Sequence, residues 1–271
     1  MSITGIEAVI SLTNHTFYSM DVVYVIGTGS KWDNNELKYS LRSICKYGKG
    51  LGKVFIVGDE LPKFINRDEV WFLQWPDNPS DSPYRNVYNK IAAFFQYRMV
   101  DEFLLSSDDH FFLQPVDFDH WPVHFKASQM PTEAQINDEK IGDLRYRRVM
   151  IDTGKYMEQF HLENRFFEGH TNKLYRRDAW EDLQDNLFRD YMRMAEYGLC
   201  TNSPMAATIM KLHPDYPCIK RKDIKLRHLN HPEDWMAIDA ADSFSIYDSA
   251  ISTGVGDFLA DLFPEKCRFE R

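Results

Sequence analysis

Cysteine is scarce in this chain, and no two cysteines stand at C-x-x-C spacing: Cys45, Cys200, Cys218 and Cys267 lie far apart. That pattern excludes a finger-type structural zinc site and a dense disulfide framework, and it predicts a reducing, cytoplasmic setting. Long apolar runs are missing as well. No window approaches the roughly 20 apolar residues of a membrane span, and no basic stretch followed by an apolar run suggests a signal peptide. Basic charge is not in excess, because 41 acidic residues against 32 basic ones give a net charge of −9. A field of that sign makes nucleic acid a poor default partner while leaving room for a local basic strip. Lys220, Arg221, Lys222, Lys225 and Arg227 form one such strip, readable as a solvated face or as a track that neutralises phosphate. No Walker sequence, no complete G-x-G-x-x-G and no G-x-S-x-G occurs, which argues against P-loop, dinucleotide-fingerprint and nucleophile-elbow chemistry.

What is present is ample apolar and aromatic material, 44% and 14% of residues, enough for a sizeable core and for rings that sugars or bases stack on. Asp21–Ile26 is a β-branched run ending in Gly27-Thr28-Gly29-Ser30, the pattern of a buried strand opening into a loop. Asp33-Asn34-Asn35 supplies N-cap chemistry to a helix bearing Leu37, Leu41, Ile44 and Cys45 on one face. Strands follow at 53–57 and 69–73, a proline-rich loop at 75–83, a helix at 87–99, and a strand at 102–106 that runs into Asp108-Asp109-His110. This alternation predicts a Rossmann-like, mostly parallel sheet flanked by helices. Residues 127–165 are polar and carry no clear period, and helices are expected at 177–197 and 203–212. The whole of 1–271 reads as one domain. Its nucleotide-binding half covers about 20–126, and its acceptor-binding half with helical additions and a C-terminal segment covers about 127–271.

Ligands of such sheets bind beyond the carboxyl ends of the strands, where both the Gly27 loop and the Asp108 cluster fall. Residues i and i+2 of an extended segment share a side, so Asp108 and His110 can grip one divalent metal, Mn²⁺ or Mg²⁺, while Asp109 points to the opposite side or to a donor sugar. A strand-end turn capped by aspartates is the plain alternative. Gly27, Thr28 and Gly29 permit close approach of a nucleotide, whose nucleoside Asn34 and Asn35 would help hold, or simply a tight turn. Arg42 on the following helix can reach phosphate or pair on the surface. Arg85, Asn86, Asn89 and Lys90 stand at a loop-to-helix junction suited to sugar hydroxyls and diphosphate oxygens. Among nine histidines, His228 or His231 is placed to complete a metal shell, and His170, Asp234 and Asp248 are candidates for a general base.

The residues from Asp33 to Ile44, with Tyr47 and Val54–Val57, resemble the second block of the Stealth proteins. These are bacterial capsule sugar-phosphate transferases, related to the enzyme that tags lysosomal glycans. That block ends in an acidic pair after an apolar strand, which Phe103–Asp109 and Phe112–Val116 match. Phe167–His170 is similar to a histidine-bearing block, and Phe244–Ser249, Leu262–Glu265 and Phe269-Glu270 to the last block. About half the chain is covered. Asp108-x-His110 is also similar to the metal motif of some GT-A glycosyltransferases, which transfer the sugar alone.

The resemblances imply a GT-A-type fold, a nucleotide-sugar donor and a glycan or other hydroxyl acceptor in surface-glycan synthesis. Metal-dependent glycosyl transfer stands first and sugar-1-phosphate transfer second. Glycosylation of a hydroxylated DNA base, and carbohydrate binding without catalysis, are the remaining readings.

Overall fold

The computed structural model of the chain describes residues 19–138, 142–169, 171–220, 224–226, 229, 232–239 and 241–271. Its centre is a five-stranded sheet made of β1 (Met20–Val25), β2 (Leu51–Gly58), β3 (Val70–Gln74), β4 (Glu102–Ser106) and β6 (Lys173–Arg176), in the order β3-β2-β1-β4-β6. The first four are parallel, and β6 closes one edge antiparallel to β4. Val22, Val23 and Tyr24 are buried from both faces, as a parallel strand between helical layers requires. The molecule is thus a mixed α/β protein with a mostly parallel central sheet flanked by helices.

Helix α1 (Asn35–Tyr47) buries Leu37, Leu41 and Ile44 against the sheet, as their spacing predicts. It does not start with an Asn34 cap. Asn34 is left-handed (φ 58°) without a capping side-chain bond, and the Ser30 hydroxyl accepts the Asn34 backbone N–H at 2.8 Å. Helix α2 (Pro83–Tyr97) begins four residues before the expected start. Pro83 opens the helix rather than ending the loop, and the Ser82 hydroxyl accepts the Arg85 N–H at 3.2 Å.

The polar stretch after residue 127 contains a long helix, α3 (Leu144–Gln159), capped by Asp143 and burying Val149, Met150, Thr153, Tyr156 and Met157. The single helix expected at 177–197 is two, α4 (Arg177–Asp185) and α5 (Phe188–Met194), separated by a left-handed Leu187. Helix α6 (Asn202–Leu212) matches its expected span.

A small second sheet, β7-β8-β5, joins β5 (His110–Phe112), β7 (Lys225–Leu226) and β8 (Ser243–Ile246). Beneath it a second apolar cluster gathers Phe111, Leu226, Phe244, Ile246, Val255 and Leu259. The C-terminal segment, including α7 (Gly256–Leu262), therefore packs beside the carboxyl ends of β1 and β4. Among the described residues, no helix is long and apolar enough to cross a membrane.

Candidate functional site

β1 and β4 lie side by side, with Val22 opposite Leu104 and Tyr24 opposite Ser106. From β1 the chain moves outward through β2 and β3, then returns to the other flank of β1 as β4. Adjacent parallel strands whose connections leave in opposite directions open a crevice at their carboxyl ends. A cleft of about 220 Å³ occupies that position. Gly27, Gly29 and Ser30 reach it from the β1 loop and Glu36 from the first turn of α1. Asp108 and Asp109 come from the exit of β4, and Ile246, Asp248 and Ile251 from the C-terminal segment.

Local packing fixes these positions. The Ser40 hydroxyl donates to the His110 carbonyl at 2.7 Å and shares a 3.0 Å hydrogen bond with the Tyr24 hydroxyl, so α1 is tied to both β1 and β5. Glu36 is one turn earlier on the same helix face and is thereby aimed into the cleft. The Lys90 ammonium, buried behind the β1 loop, donates to the Ile26 carbonyl at 2.8 Å and to Asp77 at 2.5 Å. A Cβ built on Gly29 would meet nothing within 4 Å. Gly29 is therefore not forced by crowding, and its bare backbone keeps the cleft open.

Among the described residues, the electrostatics are those of a site short of positive charge. Four carboxylates line the cleft. Loss of water contact, then the neighbouring Asp109 and Glu36, push the Asp108 carboxyl up to about 7. Burial also raises Asp109, against the pull of Lys225, whose ammonium sits 3.2 Å from Asp109 Oδ2. Lys225 lies 4.5 Å over the Tyr247 ring and turns inward, so it does not extend a surface strip. Lys31 pairs with Asp248 at 3.6 Å at the exposed mouth. Glu36 is 7% exposed, and its Oε2 is buried without a hydrogen-bond partner among the described residues.

A donor set of carboxylate oxygens, one of them orphaned, fits a hard divalent cation. Among the described residues no three His, Cys, Asp or Glu side chains are grouped closely enough to hold a metal by themselves. Mg²⁺-type sites use one or two carboxylates and complete the shell with substrate phosphate oxygens and water, so the residues present fit that arrangement.

Of the residues singled out from sequence, Gly27, Gly29, Asp108, Asp109 and Asp248 meet in the cleft, with exposed Thr28 between the glycines. Asn34 and Asn35 shape the adjoining turn, where the Asn35 amide donates to the Trp32 carbonyl at 2.7 Å. His110 does not line the cleft with Asp108. Pairing of β5 with β8 places it at 2% exposure, its ring 4.9 Å from that of Phe112.

Arg42 is engaged by Glu270 and does not reach the cleft. Arg85 caps the end of α5, donating to the Met192 and Arg193 carbonyls at 3.1 Å and also to those of Ala195 and Glu196. Asn86 clamps the preceding loop through Asn78, at 2.9 and 3.2 Å. Asp234 stands on the helix Pro232–Asp239, outside the cleft lining. His170, His228 and His231 lie outside the described residues. Glu36 and Lys225 are the site residues that sequence reasoning missed. A glutamate in a first helical turn reads as a favourable end charge, and Lys225 reads as one member of a basic strip.

No protein-family model matches the chain, and no curated protein matches it. The functional reading therefore rests on the cleft and on the resemblances in the sequence.

Proposed function

We propose that this chain is a divalent-cation-dependent glycosyltransferase with a GT-A-type fold, moving a sugar from a nucleotide-sugar donor to an acceptor hydroxyl. The observation that carries the reading is the convergence of Asp108, Asp109, Glu36 and Asp248 in one cleft, at the sheet's switch point and beside a glycine-bearing loop. Carboxylates buried and crowded until one is raised to about 7 favour a cationic ligand.

Asp108 and Glu36 are the residues that would hold the cation, which supplies the positive charge that offsets a leaving diphosphate. Gly27 and Gly29 let donor phosphates approach the backbone. Lys225 fixes Asp109 in position to orient the donor sugar. Asp248, exposed at the mouth, is the candidate to take the proton of the acceptor hydroxyl.

A second reading, transfer of sugar 1-phosphate, is favoured by the Stealth-like block, because that block is the segment that becomes α1 and contributes Glu36. It differs in which bond breaks: anomeric carbon to oxygen in glycosyl transfer, the bridge between the two phosphorus atoms in phosphate-linked transfer.

A panel of nucleotide sugars incubated with and without Mn²⁺, with the nucleotide product resolved, tests both readings. Free nucleoside diphosphate that appears only with Mn²⁺ is expected. Free nucleoside monophosphate would replace the first reading by the second. Donor binding that ignores Mn²⁺, with neither product in the presence of glycan acceptors, would overturn both in favour of a binding protein.

A further inference from the structure

On the side of α1 away from the cleft, Arg42 and Cys45 stand one turn apart, facing a segment in which Cys267 and Glu270 have the same spacing. Arg42 Nε and Nη2 each donate to a Glu270 carboxylate oxygen at 2.7 Å, and the Cys267 backbone N–H donates to Glu270 Oε1 at 3.0 Å. Arg42 Nη1 also donates to the Phe263 carbonyl at 2.6 Å. These bonds hold the segment in register on α1, with Cys45 and Cys267 both at the junction. A cavity of about 350 Å³ at that junction is lined by both cysteines. The other two cysteines are placed differently: Cys200 is buried, and Cys218 lies 3.2 Å from the Arg165 guanidinium.

We propose that Cys45 and Cys267 form a reversible intramolecular disulfide, with a small-molecule disulfide such as glutathione disulfide as the oxidant, locking residues 262–270 onto α1. The proposal is independent of the transferase reading.

The neighbouring Cys267 thiol, with Arg268 adding, lowers the Cys45 thiol, so Cys45 supplies the attacking thiolate. It displaces one glutathione thiolate and forms a mixed disulfide. Cys267 then loses its proton, and its sulfur attacks the Cys45 sulfur, releasing the second glutathione. Two protein thiols are oxidised, one glutathione disulfide is reduced to two glutathione molecules, and the two thiol protons pass to the released thiolates.

The test is incubation of the full chain with glutathione disulfide, followed by thiol titration, intact-mass measurement and peptide mapping. The expected result is loss of two of the four titratable thiols, loss of the mass of two hydrogens, a Cys45–Cys267 cross-linked peptide and reversal by dithiothreitol. The thermal midpoint should rise by about 5 °C or more. In Cys267→Ser a stable glutathione adduct should accumulate on Cys45. A stable adduct on Cys45 in the unsubstituted chain, a cross-link through Cys200 or Cys218, or no thiol loss would each overturn the proposal.

Discussion

Helix α1 carries charge to two places, and the two are built on opposite terms. Arg42 meets Glu270 through two parallel 2.7 Å hydrogen bonds, with both side chains at 8% exposure or less. The Phe263 carbonyl accepts from the third guanidinium nitrogen, and the Cys267 N–H donates to the Glu270 carboxylate. Six residues earlier, Glu36 enters a cleft with Asp108, Asp109 and Asp248 in which, among the described residues, carboxylates outnumber cations and one Glu36 oxygen has no partner. A protein that can place a bidentate arginine on one side of a helix is able to neutralise its acids. Leaving them crowded on the other side costs stability and makes sense as a site waiting for a positively charged ligand. The difference teaches where to look for function: at the unbalanced cluster, not at the well-paired one.

That contrast can be broken at three points. The largest effect on the fold should come from Arg42→Ala, which strands a buried carboxylate and should lower unfolding free energy by about 3–5 kcal/mol in urea titrations. The same pair sets a pH dependence. Burial alone would raise Glu270, yet the Arg42 hydrogen bonds hold it below the usual carboxylate range. Its contribution is therefore present above the unfolded-state pKa of about 4 and is lost as pH falls through the depressed folded value. Glu270→Gln, already neutral, should flatten that acid limb. A flat limb in the unsubstituted chain would show that the pair contributes nothing.

Asp108→Asn should do the reverse of Arg42→Ala. Donor turnover should fall by about 10²–10³-fold, measured with Mn²⁺ at saturating donor, while the thermal midpoint stays or rises because one crowded charge is gone. A loss of stability comparable to that of Arg42→Ala would erase the distinction between the two clusters.

Gly29→Val should give the smallest change. Its side chain would enter open cleft space, so stability should hold while the donor KM rises by about tenfold with kcat little altered. An unchanged KM would mean that the donor does not use this part of the cleft.

The parallel strands and the acidic pair were legible in the sequence because their signals are local. Val22–Val25 and Phe103–Leu105 are apolar runs that only a doubly covered strand accommodates, and Asp108-Asp109 follows at the strand exit. What was hidden depends on partners far along the chain. Arg42 and Arg85 look like phosphate ligands beside a glycine loop, but their acceptors are at Glu270 and at residues 192–196. His110 follows the i, i+2 rule only until β8 pairs with β5 and turns its ring toward Phe112. Helix α3 escaped notice because Arg145, Arg147 and Arg148 mask the spacing of Val149, Thr153 and Tyr156. The β1 loop is an intermediate case. Gly27 and Gly29 were legible as an opening, whereas Lys90, read as a phosphate ligand, supports it from behind through Ile26 and Asp77.

The 228 positions between Arg42 and Glu270 also bear on how the molecule is made. At ribosomal rates of about 5–20 residues per second, Glu270 follows Arg42 into the nascent chain by roughly 10–50 seconds. During that interval the guanidinium has no carboxylate to meet and stays in water, which keeps α1 from settling fully. Glu36 rides on the same helix, so the cleft takes its final shape only after residue 270 has been synthesised. A ribosome-bound intermediate should therefore hold the sheet strands before it can hold a donor.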